Sequence, residues 1–309
     1  MNISICIATC QRPARLGALL DDLMLQSHVP REIVIVDNDA AGSARAVVDL
    51  RRALGSTCPL LYAIQPLRNI SLTRNSTVAL ATGEWLAFID DDERAPPNWL
   101  AELAATVTRY SADGATGPVA PRVPEDAPAW IRRGRFYDWA RMPTGMTVPL
   151  NKLRFGNVLL RGSLLRTTST PFDPAYGLTG GEDGDLLMRL VQRGAVIVWC
   201  DEGFVLEPVE LSRLSLRWLW LRSLRGGQDF ARHCIAGRLG SVGFAARAGL
   251  FVRAVGQAIA ASVLVVLCLP LGRHRAAYWL LKLSANLGKI SAFVGWHYVE
   301  YGVRRQSQP

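Results

Sequence analysis

Gly83-Glu84-Trp85-Leu86-Ala87-Phe88-Ile89-Asp90-Asp91-Asp92-Glu93 is an apolar run rich in β-forming residues that stops at three consecutive aspartates. A short apolar run of this kind reads as a buried strand of an α/β sheet. Ligands of open α/β sheets sit outside the carboxyl ends of the strands, so Asp90, Asp91 and Asp92 stand where a ligand binds. Three adjacent like charges repel, and a cation offsets the repulsion. Hard carboxylate oxygens suit Mg²⁺ or Mn²⁺, usually shared with substrate phosphates. Taken alone, the motif reads as readily as a solvated acidic turn.

The preceding chain narrows that choice. Residues 2 to 8 form a first strand-like segment, ending at Thr9-Cys10-Gln11-Arg12-Pro13. Leu16, Leu19, Leu20 and Leu23 mark a helix by their 3.6-residue spacing. A second strand, Ile33 to Val36, ends in Asp37-Asn38-Asp39; a polar helix near 43–54 and a strand near 59–64 follow. Alternating strands and helices imply an α/β fold with a mostly parallel sheet flanked by helices. Three strand ends thus carry polar groups, Thr9/Arg12, Asp37/Asp39 and Asp90/Asp92, which points to one crevice. Arg68-Asn69-Ile70-Ser71-Leu72-Thr73-Arg74-Asn75 leads into another helix. Asn69 or Ser71 is placed to cap it, and its N-terminus favours an anion. Arg74 by itself reads as a helix-surface arginine. No GxGxxG follows the first strand and no GxxxxGK[ST] occurs, which excludes the nicotinamide-binding and P-loop readings.

With 309 residues the chain holds one large α/β domain plus an appendage. Its charge is uneven: residues 212–309 carry fourteen Lys and Arg against two acids, whereas residues 1–211 are slightly acidic. The expected division is a catalytic domain over 1–211 and a basic, apolar helical region over 212–309. Basic residues set among long Leu, Val, Ala and Trp runs favour an anionic membrane surface over nucleic acid. The six cysteines are scattered without a CxxC pair and read as reduced thiols. The chain opens directly on a strand, so no signal peptide is expected.

Residues 113–121 read as a further strand with breakers, and 122–153 as a long functional loop rich in Pro, Arg and aromatics. Trp130 and Trp139 either stack on an acceptor sugar or pack beneath that loop. Asn157, in the strand-like Phe155 to Arg161, is a candidate acceptor contact. Gly180-Gly181-Glu182-Asp183-Gly184-Asp185 precedes an amphipathic helix, so its acids either cap that helix or do chemistry at its N-terminus. Two final strand-like segments are Ala195 to Trp199 and Phe204 to Pro208. Arg213, Arg217, Arg222 and Arg225 then interleave with Trp218 and Trp220.

In their order and spacing these motifs resemble the inverting GT-A glycosyltransferases of family 2, most closely those of the bacterial succinoglycan and exopolysaccharide type that act as β-glucosyltransferases. The resemblance runs over about 1 to 228 and implies a nucleotide-diphospho-sugar transferase fold. By it, Asp37 contacts the uracil of a UDP-sugar. Thr9, Arg12, Asn69, Arg74 and Asp91 line the nucleotide side, and Asp90 lies near the ribose. Asp90 and Asp92 are the outer positions of a DxD motif, with Asp92 ligating Mg²⁺ or Mn²⁺. Relatives often carry His where Leu206 stands; leucine cannot bind a metal, so Glu207 substitutes or the metal relies on Asp92 and the diphosphate. Asp183 is the general base and Glu182 orients the acceptor. Arg222 and Arg225, three apart on one helix face, close over the diphosphate or rest on the membrane.

Ala254 to Gly272 is a 19-residue uncharged run, followed by Arg273-His274-Arg275. From Ala276 to about Val303, Trp279, Leu280, Leu283, Leu287, Ile290 and Val294 fall on one face, and Lys282, Asn286, Lys289 and Glu300 largely on the other. That is an interfacial helix. Two spans would place Arg273 and Arg275 outside, against the positive-inside tendency. The expected location is therefore the cytoplasmic face of the bacterial inner membrane, peripheral or monotopic, with a single span at 254–272 as the alternative. The expected activity is metal-dependent transfer of a sugar, with UDP-glucose the implied donor, to a polyprenyl-diphosphate-linked or other glycan acceptor in exopolysaccharide or cell-surface glycan synthesis. The competing functions are a non-catalytic nucleotide-sugar scaffold at the membrane, a nucleotidyltransferase, and a phosphatase acting from Asp90.

Overall fold

A computed structural model describes residues 1–240 and 243–299. The chain divides into two compact units, Met1–Ala120 with Trp139–Glu207, and Pro121–Asp138 with Pro208–Tyr298. The first begins β1 (Ile3–Thr9), α1 (Pro13–Met24), β2 (Glu32–Asp37), α2 (Arg45–Ala53), β3 (Leu60–Ile64), α3 (Ile70–Leu80), β4 (Trp85–Ile89), α4 (Trp99–Arg109) and β5 (Gly114–Thr116). After β6 (Val119–Arg122) and α5 (Ala129–Gly134) come β7 (Asn157–Arg161), α6 (Gly162–Leu165), α7 (Glu182–Gln192), β8 (Ile197–Trp199) and β9 (Val205–Pro208). The chain ends in α8 (Leu216–Ile235), α9 (Phe244–Cys268) and α10 (Arg273–Phe293).

Seven strands form one sheet in the order β3-β2-β1-β4-β7-β5-β8, and β6 pairs with β9 separately. The expected mostly parallel sheet is present, with β7 running antiparallel to both β4 and β5. Register explains which strand ends meet. Thr9 pairs with Asp37, and Cys6 with Phe88. Three residues past those last partners lie Thr9 and Asp91, so β1, β2 and β4 end on one side. Because β7 is reversed, it begins on that side, with Asn157 opposite Ile89. Leu16, Leu19, Leu20 and Leu23 of α1 are fully buried against Ile3, Ile5 and Ile7 of β1 and Ile33 and Ile35 of β2. Burial of each such side chain contributes about 1.5–3 kcal/mol.

The stretch expected as one irregular loop over 122–153 is partly ordered in the second unit. There Ile131 and Tyr137 pack with Val209 and Leu219, and the Tyr137 ring stacks on Trp218 at 5.8 Å. Gly227 of α8 and Gly288 of α10 let these helices touch backbone to backbone: a Cβ on Gly227 would lie 1.9 Å from the Ala285 carbonyl oxygen, and one on Gly288 2.0 Å from that of Leu224. The buried residues of α9 are Ala254, Ala258 and Ala261; those of α10 include Ala276, Ala277, Ser284, Asn286 and Gly288. Asn286 thus turns inward, while Leu287 and Val294 are exposed. Small and polar residues face the helix contacts and bulky apolar ones face out. Helix α10 ends at Phe293, and Glu300 and Val303 lie outside the described residues.

Candidate active site

The strand ends of the first unit are tied together by their own side chains. The Thr9 hydroxyl donates to Asp91 Oδ2 at 2.8 Å, and Arg12 Nη1 donates to Asp91 Oδ1 at 2.9 Å. Asp91 is almost fully buried with both oxygens engaged, and burial lifts its pKa to about 6 against the pull of Arg12. It therefore clamps β1 to β4 rather than contacting a nucleotide, which corrects the expectation for this residue. Asp92 Oδ2 lies 3.4 Å from Arg12 and 3.3 Å from Arg15. Arg15, one turn into α1, was not singled out from the sequence, although its place three residues after Arg12 put it within reach.

Asp37 also departs from its expected role. Its carboxylate is fully buried, accepting from the backbone N–H of Asp39 at 3.0 Å and of Ala44 at 2.8 Å and from the Tyr62 hydroxyl at 3.0 Å. It organises the turn after β2. Asp39, partly exposed, is the carboxylate at that strand end with an open edge. Asn69 is the N-cap of α3, accepting from Leu72 N–H at 3.0 Å and donating to Pro174 O at 3.1 Å.

Arg74 is the hub. Only 9 % of its side chain is exposed, where a surface arginine would be open to water. Its Nη1 donates to Glu182 Oε1 at 2.5 Å and lies 3.8 Å from Asp183 Oδ2, while Nη2 donates to Asp90 Oδ1 at 3.1 Å. The guanidinium sits 4.7 Å from the Phe155 ring centroid and 5.9 Å from that of Phe172. Phe172 is held by Asn75 of α3, whose side-chain amide donates to Phe172 O at 2.8 Å and accepts from Phe172 N–H at 2.9 Å. The segment leading to α7 is in this way strapped to the helix that carries Arg74. Gly180 and Gly181 have φ of 81° and 94°, the left-handed region that glycine enters without strain. They turn the chain so that α7 starts at Glu182, and close approach of a ligand is not needed to explain them.

Glu182 is 2 % exposed and engaged by Arg74, so it positions that arginine and has no open edge for an acceptor, contrary to expectation. Asp183 is different: 36 % of its side chain is exposed, with Oδ1 accepting from Gly184 N–H at 2.7 Å. Asp185 is buried in an i,i+4 pair with Arg189 at 2.7 Å. Arg154, in the segment before β7, lies within electrostatic reach of Asp183, and its guanidinium covers the Trp139 ring at 3.9 Å. Sequence reasoning missed it.

Beneath Asp90 lies Glu93, 3 % exposed, accepting the Asp90 backbone N–H at 3.1 Å. Burial pushes its pKa well above the ordinary range, and Asp90, Asp92 and Glu207 push further. Asp90 is raised too, by desolvation and then by Asp92 and Asp183, against Arg74; with nearly half its side chain exposed, solvent tempers that shift. Seven carboxyl groups (Asp90 to Asp92, Glu93, Glu182, Asp183 and Glu207) thus meet four arginines, Arg12, Arg15, Arg74 and Arg154. The surplus is negative and falls on the expected metal ligands. Among the described residues no three His, Cys, Asp or Glu side chains gather as a ready-made metal site.

The remaining expected residues stand elsewhere. Asn157 is 1 % exposed; it accepts from Trp99 Nε1 at 2.8 Å and donates to Gly203 O at 2.7 Å and Pro118 O at 3.2 Å, so its amide knits the fold and is closed to an acceptor. Trp130 packs on Phe136 in the second unit, with ring centroids 5.7 Å apart, and Trp139 belongs to the first unit. Arg222 lies over the Trp218 ring at 5.1 Å and Arg225 is 3.9 Å from Asp229, both along α8.

The profile described as "Glycosyl transferase family 2" matches residues 4–163. The chain belongs to glycosyltransferase family 2. This family 2 enzyme is 32 % identical to the succinoglycan biosynthesis protein ExoM of Rhizobium meliloti (strain 1021) over 315 residues, 98 % of this chain and 97 % of ExoM. It is 26 % identical over 106 residues to the glucosyl-dolichyl phosphate glucuronosyltransferase of Haloferax volcanii, 34 % of this chain and 33 % of that protein. Among solved structures, the mannosyltransferase PcManGT from Pyrobaculum calidifontis, in complex with GDP-Man and Mn²⁺, superposes with a TM-score of 0.65 at 15 % identity, covering 94 % of this chain and 87 % of that one. Staphylococcus aureus TarS 1-349 in complex with UDP gives 0.54 at 16 % identity, over 100 % and 98 %. The fold of this family 2 glycosyltransferase is GT-A, and its donor is a nucleotide-sugar.

Proposed function

We propose that this family 2 enzyme transfers a hexosyl group with inversion from a UDP-sugar, UDP-glucose first among donors, to a lipid-linked oligosaccharide in exopolysaccharide or cell-surface glycan assembly. One observation carries the reading: Arg74 joins Asp90, at the end of β4, to Glu182 and Asp183, at the start of α7. The donor-side carboxylates and the exposed Asp183 are thereby held in one frame. Asp183 is the base: as the acceptor hydroxyl oxygen attacks the anomeric carbon and the bond to UDP breaks, Asp183 takes the hydroxyl proton. Glu182 and Arg74 fix where that carboxylate stands. Asp90 and Asp92 would hold a divalent cation, Mg²⁺ or Mn²⁺, with Glu207 behind them near Glu93; the surplus of carboxylates there fits a cation shared with a diphosphate. Bound there, the cation supplies positive charge against the departing diphosphate. Arg12 and Arg15 steady Asp92.

The ExoM relative supports the exopolysaccharide setting, and the second unit supports a membrane-borne acceptor such as a polyprenyl diphosphate glycan. Phe244–Leu271 is long and apolar enough to cross a membrane by length and composition. Small residues at helix contacts with bulky apolar ones outside are the pattern of helices packed in lipid. The basic residues of 212–309 favour the cytoplasmic leaflet in this reading.

Titration calorimetry of UDP, UDP-glucose, UDP-galactose and GDP-mannose, each with and without Mn²⁺ or Mg²⁺, tests the donor site. Metal-dependent UDP binding with preference for UDP-glucose is expected. Metal-independent binding would remove Asp90 and Asp92 as ligands, and absence of any uridine nucleotide binding would sink the donor assignment.

A further inference from the structure

The second unit contains a cleft that the donor-site residues described above do not line. Where α9 ends, the chain turns through Pro270 and Gly272 into α10, and α5 packs against α10. These elements frame an open cleft of about 310 Å³. Arg133 of α5 and His274 and Arg275 of α10 bring positive or protonatable nitrogen to it, and Leu271, Tyr278 and Trp279 supply apolar and aromatic wall.

The cations there differ from their neighbours. On and beside α5, Arg132 donates to Ala127 O at 3.1 Å, and Arg135 donates to Asp138 at 2.5 Å. Among the described residues, neither a carboxylate nor a hydrogen-bond acceptor engages the side chain of Arg133, His274 or Arg275. Acids are scarce along 212–309, where Asp229 is engaged with Arg225 and Glu300 is the other acid. Arginines from two separate helices converging without a counter-ion form a site short of negative charge. Its position adds the second clue. The cleft lies at the foot of the apolar Phe244–Leu271 segment, and Tyr278 and Trp279 are the residue types that settle at a membrane–water boundary. A ligand suited to both features carries its negative charge in a compact head and continues into an apolar chain.

We propose that this cleft binds the phosphate or diphosphate headgroup of a membrane lipid, with Arg133 and Arg275 on the phosphate oxygens and the lipid chain running along the α9 side past Leu271. The assignment rests on the membrane reading of α9 given above. It adds a lipid-phosphate site to an enzyme whose donor site stands in the other unit.

Flotation of the full-length protein on vesicles tests both statements separately. The vesicles are phosphatidylcholine alone, phosphatidylcholine with phosphatidylglycerol, and phosphatidylcholine with a long-chain polyprenyl diphosphate. Wild type should float on all three and bind the diphosphate vesicles most tightly. Arg133→Gln with Arg275→Gln, both exposed side chains, should lose that preference by about thirtyfold, from roughly a factor of five for each arginine at an anionic surface, while binding to phosphatidylcholine stays unchanged. Arg247→Gln with Arg253→Gln on α9, which removes the same charge outside the cleft, should keep the preference. Equal losses in the two double variants, or none in the first, would overturn the site in favour of diffuse basic charge. If wild type floats on no vesicle, the membrane reading fails. The cleft is then decided by titration with water-soluble geranyl diphosphate: saturable binding lost in the Arg133/Arg275 variant upholds it, and no binding overturns it.

Discussion

The two units invert each other. In the first, α1 hides Leu16, Leu19, Leu20 and Leu23 completely. In the second, α9 hides Ala254, Ala258 and Ala261 and leaves Val252, Ile259, Val263 and Val266 more than half exposed. Both patterns have helical periodicity, and the sequence of either helix reads as amphipathic or apolar. On the membrane reading proposed above, the difference lies in the solvent each answers to. Water drives large apolar groups inward. Lipid tails give no such drive, so close backbone approach through small residues decides the contacts. Gly227 and Gly288, where α8 meets α10, follow the second rule.

The largest expected effect separates the units by function. Asp183→Asn should lower kcat about a thousandfold, in the range typical of removing a general base, while UDP affinity and vesicle flotation stay within twofold. Comparable turnover would take Asp183 out of the mechanism. Next comes a pair of substitutions aimed at the inversion itself. Leu20→Ala should destabilise the first unit by about 3 kcal/mol in denaturant melts, through lost transfer energy and a cavity. Val263→Asp, at a side chain 54 % exposed, would change the stability of a water-soluble protein by roughly 0.5 kcal/mol or less. At the centre of a lipid-embedded helix the same acid costs about 3 kcal/mol, so flotation should fall about a hundredfold. Unchanged flotation would break the comparison and make α9 a helix bathed in water.

How much of this was legible follows from the range of the interactions. The sheet was readable because apolar runs and their polar ends are local, and the three strand ends came together as their order implied. Asn69 as a cap was readable for the same reason. The misreadings cluster where a local pattern meets a distant partner. Asp37 and Asp91 looked like ligand contacts, yet Tyr62 lies 25 residues from one and Arg12 79 from the other. Arg74 looked superficial because Glu182 and the two phenylalanines under it are remote in sequence. Asn157 is consumed by Trp99 and Gly203, which no periodicity links to it. The inward turn of Asn286, whose side-chain amide donates to Lys282 O at 2.9 Å and accepts from Lys289 Nζ at 2.9 Å, is invisible in a helical wheel that sorts residues by polarity alone.

A smaller effect sharpens the donor side. Asp92→Ala should weaken Mn²⁺-dependent UDP binding about tenfold, while binding without metal changes little. Arg12 retains Asp91 as a partner in that variant, so the clamp between β1 and β4 survives. Unchanged Mn²⁺ dependence would remove Asp92 from the ligand set.

The smallest test compares one kind of bond in the two settings. Asn69 caps α3 by accepting Leu72 N–H at 3.0 Å, and Ser215 caps α8 by accepting Trp218 N–H at 3.2 Å. Both capping residues are partly exposed. With water at each helix start, loss of the cap costs about 1 kcal/mol, because water replaces the missing acceptor. Asn69→Ala and Ser215→Ala should therefore cost nearly the same in melts of the whole protein. Away from water the freed N–H has no substitute and the cost rises to several kcal/mol. A loss at Ser215 several times that at Asn69 would move the boundary between the two solvents down to the first turn of α8. Equal losses keep that turn in water and confine the lipid to the helices that follow. The same Asn69 variant also separates capping from contact: UDP affinity within twofold of wild type leaves Asn69 a cap, and a tenfold fall makes it part of the nucleotide pocket.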